Sequence, residues 1–106
     1  MSAQSVSRAL SHFFGAYFHE DWDLEASDWQ GVVDGYVRDE HPSAGLLRLL
    51  AREIEHLNAG SPAADVARLV TRTLGANYYP LPECSYGEWL NQVAARLRQH
   101  AEAIET

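Results

Sequence analysis

The densest run of chemically capable side chains in this sequence is His19-Glu20-Asp21-Trp22-Asp23-Leu24-Glu25, with Asp28 close behind. Carboxylates at alternating positions suggest calcium, a hard cation that prefers oxygen ligands. Aligning Asp21, Asp23 and Glu25 with the first, third and fifth positions of an EF-hand loop puts Ala26 where the sharp turn needs Gly. It also puts Val32 where the loop requires a bidentate Glu. The alignment fails, and no calcium site is expected. The same carboxylates would suit general acid and base roles only in a cleft whose neighbours separate their pKa values. The sequence shows no such cleft.

Other chemistry has weaker support. Cys84 is the single cysteine, so no intrachain disulfide is available, and no local signature pairs it with a histidine as nucleophile and base. His12 and His19 lie seven apart and share a helix face at most as two ligands, where zinc usually takes three or four from the protein. Neither catalysis nor any cofactor is expected. Of Trp22, Trp29 and Trp89, only Trp22 stands among acids outside an apolar periodicity, which makes it the aromatic to consider as a partner contact.

Charge is unevenly placed. The chain carries a formal net charge of −7, and residues 1 to 40 hold eight of its acids against only Arg8 and Arg38. Nucleic-acid binders need clustered cations to release counterions from phosphate, so this surface argues against a nucleic-acid partner and for a basic one. No apolar run approaches the roughly 18 residues of a spanning helix, and Met1 to Phe18 is interrupted by polar residues where a signal peptide would be continuous. No membrane association is expected, and a reducing cytoplasm suits the lone cysteine.

The elements that must position these residues are helical throughout. A chain of 106 residues with 46% hydrophobic content suits one domain over residues 1–106. Leu10, Phe13, Phe14, Tyr17 and Phe18 form a stripe spaced by three and four over Ser5 to Phe18. His19 to Ser27 breaks the pattern and reads as a loop or short helical turn. Ser27 or Asp28 caps a second helix with Trp29, Val32, Val33, Tyr36 and Val37 inward. A third begins near Pro42 as a first-turn proline and runs through Leu46, Leu47, Leu49, Leu50, Ile54 and Leu57 to a stop at Asn58 to Gly60. Ser61-Pro62 opens a fourth with Val66, Leu69, Val70 and Leu74 inward, and Gly75 supplies a left-handed exit. Tyr78, Tyr79, Pro80 and Pro82 mark a loop. Ser85 and Glu88 then make a capping box ahead of Trp89, Leu90, Val93, Leu97 and Ile104. No alternating run is long enough for a strand. The fold class is all-α, a bundle of about five main helices. Gly31 and Gly35, one turn apart, suggest close approach of two helices, on which reading Leu at position 35 destabilises sharply.

Phe13-Phe14-Gly15-Ala16-Tyr17-Phe18-His19-Glu20-Asp21-Trp22-Asp23-Leu24-Glu25 resembles the N-terminal signature of a family of contact-dependent growth inhibition immunity proteins (CdiI). Leu74-Gly75-x-x-Tyr78-Tyr79 with proline behind it, and Ser85-Tyr86-x-Glu88-Trp89-Leu90, resemble that family's closing pattern. The resemblance implies a bacterial cytoplasmic protein that binds the C-terminal toxin domain of a CdiA-type protein, encoded immediately upstream, and inhibits it without catalysis.

Charge and resemblance together place the toxin contact on Glu20, Asp21, Trp22, Asp23, Glu25 and Asp28, masking a basic nuclease-type surface. The protein is expected as a monomer. Two rivals remain at this level: a helical adaptor or self-associating module, and a small metal-dependent hydrolase built on His19 and Asp21.

Overall fold

Ser7 opens the first helix, α1 (Arg8–Tyr17), by accepting the Leu10 N–H on its hydroxyl at 3.1 Å. The computed structural model describes residues 6–19, 21–24, 26–60, 62–76, 78 and 85–105, with the backbone alone at 63, 64 and 73. The expected start at Ser5 lies outside them. Ser7 also donates its N–H (2.8 Å) and hydroxyl (2.6 Å) to the two carboxylate oxygens of Glu53, which ties the start of α1 to a helix far along the chain.

A short 3₁₀ turn (Trp22–Leu24) leads to α2 (Trp29–Glu40), where Asp28 accepts the Gly31 N–H at 2.8 Å and is the N-cap. His41 ends α2 in the left-handed region at φ 50°. The third helix, α3 (Ala44–Ala59), does not start on Pro42 as the sequence suggests. Ser43 is its cap, because a hydroxyl takes the Leu46 N–H (3.1 Å) and proline offers no acceptor side chain, so Pro42 sits buried just ahead of the cap.

The fourth segment also differs from expectation. It is α-helical only over Ala63–Arg68 (α4) and continues as a π-helix over Leu69–Thr73. The Thr71 hydroxyl donates to the Ala67 carbonyl at 2.9 Å, taking up an acceptor of the ordinary ladder, and the Leu74 N–H reaches back to Leu69. Gly75 provides the expected left-handed exit at φ 74°. The last helix, α5 (Tyr86–Glu105), has the expected capping box: the Ser85 N–H donates to Glu88 (2.9 Å), and the Glu88 N–H donates to the Ser85 hydroxyl (3.1 Å). Among the described residues there are five α-helices and no strand, so the all-α reading holds.

α3 and α5 run antiparallel and make the largest interface, with α1, α2 and α4 closing around them. Ion pairs Arg48–Glu105 (2.5 Å) and Arg98–Glu55 stitch its edge, and Asn58 donates to the Gly87 carbonyl (3.1 Å) at its other end. Leu47, Leu50, Ile54, Leu90, Val93 and Leu97 fill the seam. Trp89 lies at the centre with none of its surface exposed, stacked on Tyr78 at 4.7 Å and met edge-on by Phe18 at 5.2 Å. Its indole N–H has no hydrogen-bond partner among the described residues. Ile104 and Leu49, grouped with the apolar positions in the sequence, are 49% and 56% exposed. Ile104 lies in the last turn of α5, and Leu49 is on the side of α3 away from Leu47, Leu50 and Ile54.

The expected helix crowding at Gly31 and Gly35 is not what the structure shows. A Cβ at Gly35 would meet only the guanidinium tip of Arg38, at 3.3 Å. At Gly31 it would meet Ala26 and the capping carboxylate of Asp28, each at 3.3 Å. Among the described residues no second helix places an atom within 4 Å of either Cβ position. They border a surface slot instead.

Candidate functional site

The acidic segment is a tight backbone turn, and the turn decides which side chains face out. The Trp22 N–H donates to the His19 carbonyl (3.1 Å), Leu24 to Asp21 (3.0 Å) and Ala26 to Trp22 (3.1 Å). His19 Nδ1 accepts the Asp21 N–H at 3.1 Å. This winding turns Trp22 inward, where it packs on the core with its ring 5.4 Å from that of Tyr78. Asp21 and Asp23 are left exposed, and Leu24 is 81% exposed between the acids.

The contact residues expected from sequence therefore separate. Asp21 and Asp23 face solvent, and neither carboxylate enters an ion pair among the described residues. Asp28 is exposed but already caps α2. Trp22 is half-buried and contributes to the fold as well as to the surface. Glu20 and Glu25 lie outside the described residues. Leu24 carried no signal in the sequence, because a single leucine among acids has no periodicity to mark it.

The remaining acids of the N-terminal third are engaged within the molecule. Asp34 on α2 receives Arg96 of α5 through two bonds (3.0 and 2.8 Å), and His100 Nε2 stands 2.6 Å away. The Arg96 hydrogen bond is the main reason the Asp34 carboxyl titrates below its ordinary range, against an opposing effect of burial. Glu40 is met by His12 (2.6 Å) and by the Tyr17 hydroxyl (2.8 Å), and the His12 contact above all holds its carboxyl low. Burial, then the Glu40 bond, pushes the Tyr17 hydroxyl up to about 12. His12 and His19 thus serve separate local contacts. Among the described residues no group of three or more His, Cys, Asp or Glu is placed to hold a metal ion. Val32, at the calcium-loop position that requires Glu, is buried in the core. Cys84 lies outside the described residues.

Beside the turn, a slot of about 50 Å³ opens between it and α2. Gly31, Val32, Gly35, Arg38 and Asp39 of α2 line it together with Tyr17, Trp22 and Ala26. Arg38 and Asp39 are exposed and 3.4 Å apart.

No helix among the described residues is long and apolar enough to cross a membrane. No match to the chain is found among curated proteins or solved structures. The CdiI immunity protein family matches it over residues 7–97, which takes in every described helix up to the last turns of α5. The chain belongs to the CdiI immunity protein family, whose members neutralise toxins.

Proposed function

We propose that this chain protects a bacterial cytoplasm by binding the C-terminal domain of its cognate CdiA-type toxin as a monomeric, single-domain, non-catalytic inhibitor. The acidic 3₁₀ turn masks a basic nuclease-type surface. The observation that supports this most is the division among the acids: Asp34 and Glu40 are satisfied by Arg96 and by His12 with Tyr17, whereas Asp21 and Asp23 are exposed beside Leu24 and form no ion pair among the described residues. Charges not already satisfied inside the molecule are the ones available to steer and hold a basic partner. Glu20, Glu25, Asp28 and Trp22 complete the proposed contact.

Calorimetry against the toxin domain encoded upstream, at two salt concentrations, tests the reading. Tight binding that weakens with salt and abolishes toxicity is the expected result; no binding at micromolar protein rejects it. Replacing Asp21 and Asp23 together with Lys is expected to slow association and flatten its salt dependence, as steering charges are lost. Unchanged kinetics would put the interface elsewhere.

A further inference from the structure

We propose that the slot between the 3₁₀ turn and α2 receives one Lys or Arg side chain of the toxin, and that Arg38 is this chain's own cation lying over it until the partner displaces it. The inference rests on the immunity reading for the identity of the partner. Its physical basis is separate.

Size limits the occupant first. Room of about 50 Å³ is a few times the roughly 10–15 Å³ that a single water centre needs. That excludes a nucleotide and suits one slender side chain. The floor is low because Gly31 and Gly35 carry no side chain, and at Gly35 only the tip of Arg38 lies where a Cβ would go. Helix propensity favours Ala over Gly at an interior position, so propensity gives no reason for glycine at the buried position 35. A groove that must stay open does.

Charge and ring chemistry then select a cation. Tyr17 and Trp22 are among the lining residues, and aromatic rings attract an ammonium or guanidinium that reaches their faces. Asp39, also lining the slot, supplies an exposed carboxylate. The neighbouring stretch from His19 to Asp28 holds five acids and no Lys or Arg. Arg38 Nη2 already rests 3.3 Å from the Gly35 Cβ position, so a guanidinium is accommodated there. Among the described residues the ion-pair partner of Arg38 is Asp39, in an exposed contact that gives little resistance to displacement.

Two experiments test this, one of them without the toxin. N-acetyl-arginine amide is titrated into wild type and Arg38→Ala while the Trp22 indole resonance is followed. Saturating shifts at millimolar concentration in Arg38→Ala, absent in Gly35→Leu, are expected; no shift in Arg38→Ala overturns the slot whatever the toxin does. In the second, Gly35→Leu keeps the wild-type melting temperature but loses about tenfold or more in affinity for the toxin domain, while Arg38→Ala binds as well or better. A folded Gly35→Leu that binds like wild type overturns the proposal, as does an Arg38→Ala that binds about tenfold more weakly. If Leu does not fold, Gly35→Ala replaces it in both experiments, with the same binding readings and a melting temperature no lower than that of wild type. Arginine-amide binding without toxin binding would retain the slot and reject the immunity partner.

Discussion

Leu24 stands out of the 3₁₀ turn between Asp23 and the acidic residue after it, the most exposed large apolar side chain among the described residues. A single exposed leucine is ordinary on a protein surface. One in the same turn as Asp21 and Asp23, both exposed and without an ion pair among the described residues, has the form of an interface centre, an apolar group beside charge. Leu24→Ala is expected to shift stability by under about 0.5 kcal/mol and to speed dissociation of the toxin complex about tenfold. Stopped-flow kinetics checks this, and an unaltered dissociation rate would transfer the anchor to another residue. Gly35→Ala is expected to raise stability by up to about 1 kcal/mol, since the helix gains propensity and only the Arg38 tip must yield. A sharp fall in melting temperature would restore the crowded-seam explanation. At the centre of the core, Trp89→Ala is expected to cost about 3–5 kcal/mol. Trp89→Phe should cost much less, because it also removes an unpaired N–H whose burial is worth about 1–3 kcal/mol. Urea titration ranks the two.

The helix ends were readable wherever a side chain satisfies backbone donors nearby in the chain. Asp28, the Ser85–Glu88 box and Gly75 all appear where local chemistry puts them. Ser7 illustrates the boundary of that legibility. Its cap is local, but its two bonds to Glu53 span 46 residues and no pattern announces them. Ser7→Ala removes the cap and the hydroxyl bond while the backbone N–H bond to Glu53 stays, so it should cost more than the usual cap loss of about 1 kcal/mol, and more than Ser43→Ala, whose hydroxyl has no second tie among the described residues. Equal losses in thermal unfolding would mean that the hydroxyl bond to Glu53 contributes nothing net. The π-helical close of the fourth segment was not legible either, since inward spacing at Val66, Leu69, Val70 and Leu74 fits an ordinary helix. The widened turn depends on Thr71 engaging the Ala67 carbonyl, a choice among acceptors made in the folded state.

Across the whole molecule, acid stability follows from the two carboxylates that join elements. Asp34 bridges α2 to α5, and Glu40 bridges α2 to α1; both titrate below their ordinary values of 3.8 and 4.5. A group whose folded pKa is depressed contributes stability above its unfolded pKa and loses it as pH falls through the folded one. The melting temperature should thus hold at and above about pH 5 and fall below pH 4, and Asp34→Asn should be less stable at neutral pH with a shallower acid limb. Parallel limbs would show that Asp34 is not a source of the acid sensitivity.

The helical class, most helix ends, the apolar stripes and the excess of acid in the first forty residues are legible in the order of the amino acids. These depend on periodicity and on contacts within a few positions, so they are written locally. Which acids stay available and which are taken up follows from the folded packing alone. Asp34 and Glu40 meet partners 62 and 28 positions away, while the wound turn from His19 to Ala26 sends Trp22 inward and leaves Asp21, Asp23 and Leu24 outside. Pairing across such separations requires the packed core to bring the helices together, and that is why one run of similar acids in the sequence becomes two different populations on the surface.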